Sequence, residues 1–206
     1  MHVLLINGSP HEKGCTYTAL SLVAGELNAA GITTEILNVG TKPVGGCIGC
    51  GGCAKGNGCV FGGVVNEAIE KARTADAFVF GTPVHYASAS GNMTSFLDRL
   101  AYAGGKYLAY KPAAICCSAR RAGTTATLDQ LVKYPEFFHM PLVSGSYWPM
   151  VHGSNPEQVL QDEEGCAVMK ELGRNMAWLL QCIEAGKAAG ISHPENPRRP
   201  MTNFIR

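Results

Sequence analysis

A doubly wound α/β fold, a five-stranded parallel sheet between two layers of helices, is the class this sequence predicts. Short β-type runs alternate with stretches of helical periodicity along the chain, the pattern of a parallel sheet covered on both faces. The run Ala77-Phe78-Val79-Phe80 is wholly apolar and ends in Gly81-Thr82-Pro83, as a strand buried on both sides should. At 206 residues the chain is long enough for one sizeable domain, and length alone requires no second.

The elements follow in order. His2 to Ile6 reads as a strand ending in Asn7-Gly8-Ser9-Pro10, and from Thr16 the apolar positions Ala19, Leu20, Val23, Ala24 and Leu27 keep helical spacing. Thr34 to Val39 is a second strand. Gly40 to Gly63 then carries no regular element, a length that normally signals function or disorder. Val64 to Thr74 predicts a helix, Ala77 to Phe80 the third strand, and Met93, Phe96, Leu97 and Leu100 the next helix. Ala113 to Cys117 reads as a fourth strand, Ala126 to Lys133 as a helix, and Leu142-Val143-Ser144 as the start of a fifth strand. The last helix presents Val168, Met169, Leu172, Met176, Leu179, Leu180 and Ile183 on one face. Five strands with intervening helices fit a flavodoxin-like, three-layer α/β/α sheet better than a six-stranded dinucleotide fold. The expected division is a domain over 1–190, with a cysteine-rich loop at 44–62, and a tail over 191–206. Pro194, Pro197 and Pro200 keep that tail from being helical throughout.

Composition narrows the function. Apolar residues make up 46% of the chain and charged residues 16%, against about 25% charged in an average soluble domain. Disorder is thereby excluded, and much of the surface is expected to lie under a cofactor or other subunits. A formal net charge of +1 gives no electrostatic case for nucleic acid or a membrane surface. The first strand is too short for a secretory core, and no apolar run of about 18 residues follows. A cytoplasmic protein is expected. Nine cysteines without an export signal then point to metal or redox chemistry rather than disulfides.

The loop after the first strand carries the strongest chemical signal. Ligands of a doubly wound sheet sit at the carboxyl ends of its strands, and a phosphate there is held by N–H groups and hydroxyls at a helix start. Ser9 and Thr16 supply hydroxyls, Gly8 and Gly14 permit close approach, Thr16 can cap the helix, and His11 and Lys13 add donor character. Neither a Gly-Lys-Ser/Thr phosphate loop nor a Gly-x-Gly-x-x-Gly fingerprint is present. An ordinary strand-to-helix turn explains the same spacing.

Gly8-Ser9-Pro10 with Gly14-Cys15-Thr16, followed by Thr82-Pro83-Val84-His85-Tyr86, Ser90, Met93, Phe96 and Asp98-Arg99, resembles the NADPH-dependent FMN reductase family, closest to its iron–sulfur flavoprotein branch. The match runs in order through about the first hundred residues. His11 and Cys15 depart from it, standing where that family usually has arginine and asparagine. The resemblance implies that Ser9, His11, Cys15, Thr16 and Tyr17 hold the phosphate of FMN. It also implies that Pro83, Val84, His85 and Tyr86 lie along the flavin ring, where stacked planes exclude water and shift redox balance.

A third loop, Cys117 to Thr125, follows the fourth strand. Ser118 and Arg120 are expected to face the same crevice, the arginine offering charge to a reduced flavin or an incoming anion. Tyr147, Trp148 and His152 are expected after the fifth strand, walling the ring or a subunit interface. Cys116, Cys117, Cys166 and Cys182 read as structural.

Cys47, Cys50, Cys53 and Cys59 form C-x2-C-x2-C-x5-C amid seven glycines between Gly45 and Gly58. Three close thiolates suit the corners of an iron–sulfur cluster better than one tetrahedral zinc ion. The same spacing resembles the compact motif of iron–sulfur flavoproteins, which carry a 4Fe–4S cluster beside FMN. A metal-free loop of free or oxidised thiols is the rival. The leading expectation is an FMN-dependent oxidoreductase that takes electrons from NAD(P)H and passes them to a small acceptor such as a quinone or flavin. The alternatives are an electron carrier between protein partners and a zinc- or thiol-based redox sensor. The resemblance further implies a homodimer or homotetramer.

Overall fold

The computed structural model describes residues 1–196 and 201–203. Its sheet is built from strands β1 (His2–Asn7), β2 (Thr33–Asn38), β3 (Ala77–His85), β4 (Ser88–Ala89), β5 (Ala113–Ala119) and β6 (Met150–His152). Helices α1 (Cys15–Ala29), α2 (Val64–Thr74), α3 (Gly91–Gly104), α4 (Thr124–Phe137), α5 (Pro156–Val159) and α6 (Glu163–Ala188) fill the connections. Strand order is β2-β1-β3-β5-β6, all parallel, and β4 is an antiparallel extension of β3. The five parallel strands follow the flavodoxin-like order, in which the chain reverses direction beside the first strand. The two-residue β4 is a sixth strand, absent from the sequence expectation.

Alternate side chains of each strand serve different layers, because the pleat has a period of two. Leu4, Ile6, Phe78 and Phe80 pack toward α2 and α3 with Ile69, Met93 and Phe96. Val3, Leu5, Val79 and Ala114 pack toward α1 and α6 with Leu20, Leu172 and Met176. Two cores and one sheet give the predicted three layers.

The fifth parallel strand is displaced from its expected place. Leu142 makes only a single bridge to Ala113. The paired segment is Met150–His152, which aligns Cys117 with Met150 and Ala119 with His152. Tyr147 and Trp148 therefore precede this strand, and His152 is its last residue. Of the tail, His193 stacks on Tyr110 and Asn196 hydrogen-bonds its hydroxyl. Pro197, Pro200 and residues 204–206 lie outside the described residues.

Candidate flavin and cysteine sites

The parallel register sets the ends of β1, β3, β5 and β6 side by side. Pro83 aligns with Ser118, and Ser118 with Val151, so the loops after β1, β3 and β5 open along one edge. The sheet thus sets the three loops that carry the expected site residues along one edge.

At β1 the anchor is Asn7, a fully buried side chain. Its Oδ1 accepts from the Ser9 N–H at 3.1 Å, and its Nδ2 donates to Asn38 Oδ1 at 2.8 Å and to the Glu12 carbonyl at 3.2 Å. The Ser9 hydroxyl in turn accepts from the His11 N–H at 3.1 Å. From α3, the buried Ser90 hydroxyl donates to the Gly8 carbonyl at 2.7 Å and caps its own helix at Met93. These bonds, all within the protein, shape the loop.

Thr16 does not cap α1. Gly14 holds the N-cap position, no side chain accepts from the first turn, and no acidic residue lies in it. The first-turn N–H groups and the positive end of the helix dipole are left to an anion. Thr16 instead shares a 2.8 Å hydrogen bond with Ser118, both buried, which ties the β1 and β5 loops together. Gly8 and Gly14 answer local packing: a Cβ on Gly8 would lie 2.8 Å from Met93 Cβ, and one on Gly14 2.9 Å from His11 Cβ. His11 is exposed. The Cys15 thiol donates toward the Gly153 carbonyl just beyond β6 at 3.5 Å, and burial pushes its pKa up. Tyr17 is half-buried on the first turn.

At β3 the chain turns through Tyr86 and Ala87, with φ of 52° and 57°. A two-residue hairpin loop of this hand needs positive φ at both positions and normally uses asparagine or glycine. Non-glycine residues there hold strain of about 1–3 kcal/mol each. Gln130 of α4 secures the turn, its Oε1 accepting from Ser88 Oγ at 2.8 Å and the Ala89 N–H at 2.9 Å. Tyr86 stands fully exposed and His85 exposed, above half-buried Pro83 and Val84. Arg120 and Arg121 are exposed beyond β5, where α4 begins on an uncapped glycine N-cap, Gly123. The His152 N–H donates to Asp162 Oδ2 at 2.7 Å, and its ring Nδ1 lies 3.6 Å from the same oxygen.

The four cysteines line one cavity of about 120 Å³ with Val60, Phe61 and Arg99. Cys47 and Cys50 are exposed, Cys53 and Cys59 half-buried, and all four are unpaired thiols. Among the described residues, no three His, Cys, Asp or Glu side chains converge on a point that would hold one metal ion. Arg99 donates to Cys59 Sγ at 3.2 Å, to the Gly45 carbonyl at 3.3 Å and to the Gly62 carbonyl at 3.0 Å. Asn66 closes on both the N–H and the carbonyl of Cys59.

The remaining cysteines separate by burial. Cys116 and Cys117 are buried in β5, and desolvation pushes the Cys117 thiol up to about 12. Cys166 is buried and Cys182 exposed on α6. The sequence reading gives Asn7 and Gln130 no role at the site, although an asparagine ends the largely apolar β1, and Ser90 enters it only through the family resemblance.

Comparison with known proteins bears on the family and the fold. The model of a family described as NADPH-dependent FMN reductase matches residues 1–155. An iron–sulfur flavoprotein of Methanocaldococcus jannaschii is 26% identical over 192 residues, covering 89% of this chain and all of its own. A second iron–sulfur flavoprotein, from Archaeoglobus fulgidus, is 29% identical over 175 residues, covering 83% of this chain and 86% of its own. A flavodoxin from the domain Archaea has the same fold, with a TM-score of 0.59 at 12% identity over 88% of this chain and 99% of its own. Among the described residues no helix is long and apolar enough to cross a membrane.

Proposed function

The chain belongs to the NADPH-dependent FMN reductase family, and from that premise we propose that it is an FMN-dependent oxidoreductase passing electrons from NAD(P)H to a small acceptor. The observation that carries this reading is the pre-shaped β1 loop ending in the uncapped first turn of α1. It offers N–H groups and a helix dipole to a phosphate, and its own side chains leave that anion position unfilled.

The residues present fit FMN. Ser9, Cys15, Thr16 and Tyr17 surround the helix start and would hold the phosphate through backbone N–H groups and hydroxyls, with His11 beside them. Pro83, Val84, His85 and Tyr86 offer a flat wall for the ring, and the exposed Tyr86 would bury its face against a bound ligand. A flavin held there would supply hydride acceptance from a nicotinamide and onward electron transfer. Ser118 braces Thr16, and Arg120 supplies a permanent cation at the mouth of the crevice. Exposed Tyr147, Trp148 and Trp178 support a working homodimer or homotetramer, and a cytoplasmic setting suits nine unpaired thiols.

A second reading is favoured by the cysteine cavity: an iron–sulfur flavoprotein carrying electrons between protein partners. Cys47, Cys50, Cys53 and Cys59 would hold a 4Fe–4S cluster, supported by their shared hollow and by the buried cation at Cys59. Anaerobic mixing of the FMN-loaded protein with NADPH or NADH separates the two. Rapid bleaching of the flavin is expected for the reductase, and no bleaching by either nucleotide would leave the carrier.

A further inference from the structure

We propose that Arg99 is a fixed counter-charge for the cysteine loop, fastening the loop at both ends and raising the reduction potential of the cluster held there. The proposal rests on the reading of Cys47, Cys50, Cys53 and Cys59 as cluster ligands. Arg99 is only 5% exposed. Among the described residues no carboxylate pairs with it, and the adjacent Asp98 instead accepts from the Tyr134 hydroxyl at 2.6 Å. Its partners are two neutral carbonyls, the Phe61 ring at 5.3 Å and the Cys59 sulfur.

Burying a cation without a negative partner is costly, and protein charges so placed are normally paired. The group that completes this pair is on the sulfur side. A 4Fe–4S cluster with four thiolate ligands carries net negative charge, and one more unit after reduction. A guanidinium beside one ligand therefore favours the reduced form, as does its N–H bond to sulfur.

Geometry gives the same residue a second task. Gly45 lies before the first cysteine and Gly62 after the last, so one fork closes the loop across its whole span. Arg99 also lines a separate hollow of about 440 Å³ shared by Val39–Val44 and Phe61–Val64. It forms the wall between that hollow and the cysteines. A lysine keeps the charge but loses the fork geometry that reaches two carbonyls and a sulfur together.

The test compares the full-length wild-type chain with Arg99→Gln and Arg99→Lys, each reconstituted anaerobically with iron and sulfide. Iron content, the cluster midpoint potential by EPR-monitored titration, and amide exchange over residues 45–62 of the metal-free chains are read. Arg99→Gln should shift the midpoint to more negative potential, with Arg99→Lys nearer the wild type, and both should exchange faster in the loop. If Arg99→Gln does not load, the faster exchange in both metal-free variants and a near-wild-type potential in Arg99→Lys carry the proposal. A fully loaded Arg99→Gln with an unchanged midpoint overturns it, as does unchanged exchange in variants that fail to load. A wild-type chain that takes up no cluster overturns the ligand reading itself, a result the variants alone do not produce.

Discussion

The β1 loop is fastened from beneath, while the cysteine loop is held from one side. In the first, Asn7 and Ser90 are buried and bond to backbone within four residues of Gly8. In the second, residues 40–63 include seven glycines with positive φ: Gly40, Gly49, Gly51, Gly56, Gly58, Gly62 and Gly63. Most of its side chains are exposed, and Asn66, Asn92 and Arg99 supply its long-range side-chain ties. The difference follows the ligand each would take. A phosphate is matched by backbone N–H groups that a helix start already presents. A cluster needs thiols wrapped from several directions, and glycine gives that wrapping at a high cost in chain entropy. The β1 loop is therefore the more rigidly braced of the two, and a cluster would complete the other.

The largest expected effect falls on the rigid site. Asn7→Ala leaves Asn38 Oδ1 and the Ser9 N–H without their partner in a buried setting, at about 1–3 kcal/mol for each unmet group. We expect the metal-free protein to lose about 2–4 kcal/mol in urea unfolding and to release FMN in a fluorescence titration. Unchanged stability would mean that the β1 loop is not held from beneath.

An intermediate effect is expected in the other loop. Gly58 has φ of 77°, and a Cβ there would lie 2.9 Å from Asn66 Oδ1. Gly58→Ala should therefore cost about 1–2 kcal/mol locally, freeing the Cys59 amide to exchange while the urea midpoint and FMN binding stay as they were. A matching drop in global stability would show that the cysteine loop unfolds with the sheet rather than as a unit of its own. The smallest effect belongs to the hairpin. Ala87→Gly relieves one left-handed position and should raise stability by about 0.5–1 kcal/mol with FMN retained, read by thermal unfolding.

What the sequence disclosed divides along the same line. Apolar runs mark β1, β3 and β5, and helices keep their 3.6 period, so these strands, the more polar β2 and the five long helices α1, α2, α3, α4 and α6 were legible. β6 was not: three residues following Tyr147-Trp148-Pro149 show no periodicity, and its pairing is fixed only by the edge of β5. That three strand ends share one sheet edge was legible, because topology dictates where they fall. The wiring between them was not. The Thr16–Ser118 bond spans 102 positions and the Arg99–Cys59 contact 40, and no local pattern announces a pairing at such separation. The hairpin turn was missed because Tyr-Ala lacks the usual turn residues.

Helix α3 touches everything at issue. Ser90 at its cap grips Gly8, Asn92 in its first turn grips Gly40, Lys42 and Val44, and Arg99 two turns on grips Gly45, Cys59 and Gly62. The two ends of the cysteine loop border one hollow, so they lie near each other between β2 and α2. Such a segment can be shortened to a plain turn without shifting the strands on either side. A cluster held there would thus sit in a detachable module, gained by insertion or lost by deletion at one position, while α3 goes on bracing the β1 loop through Ser90.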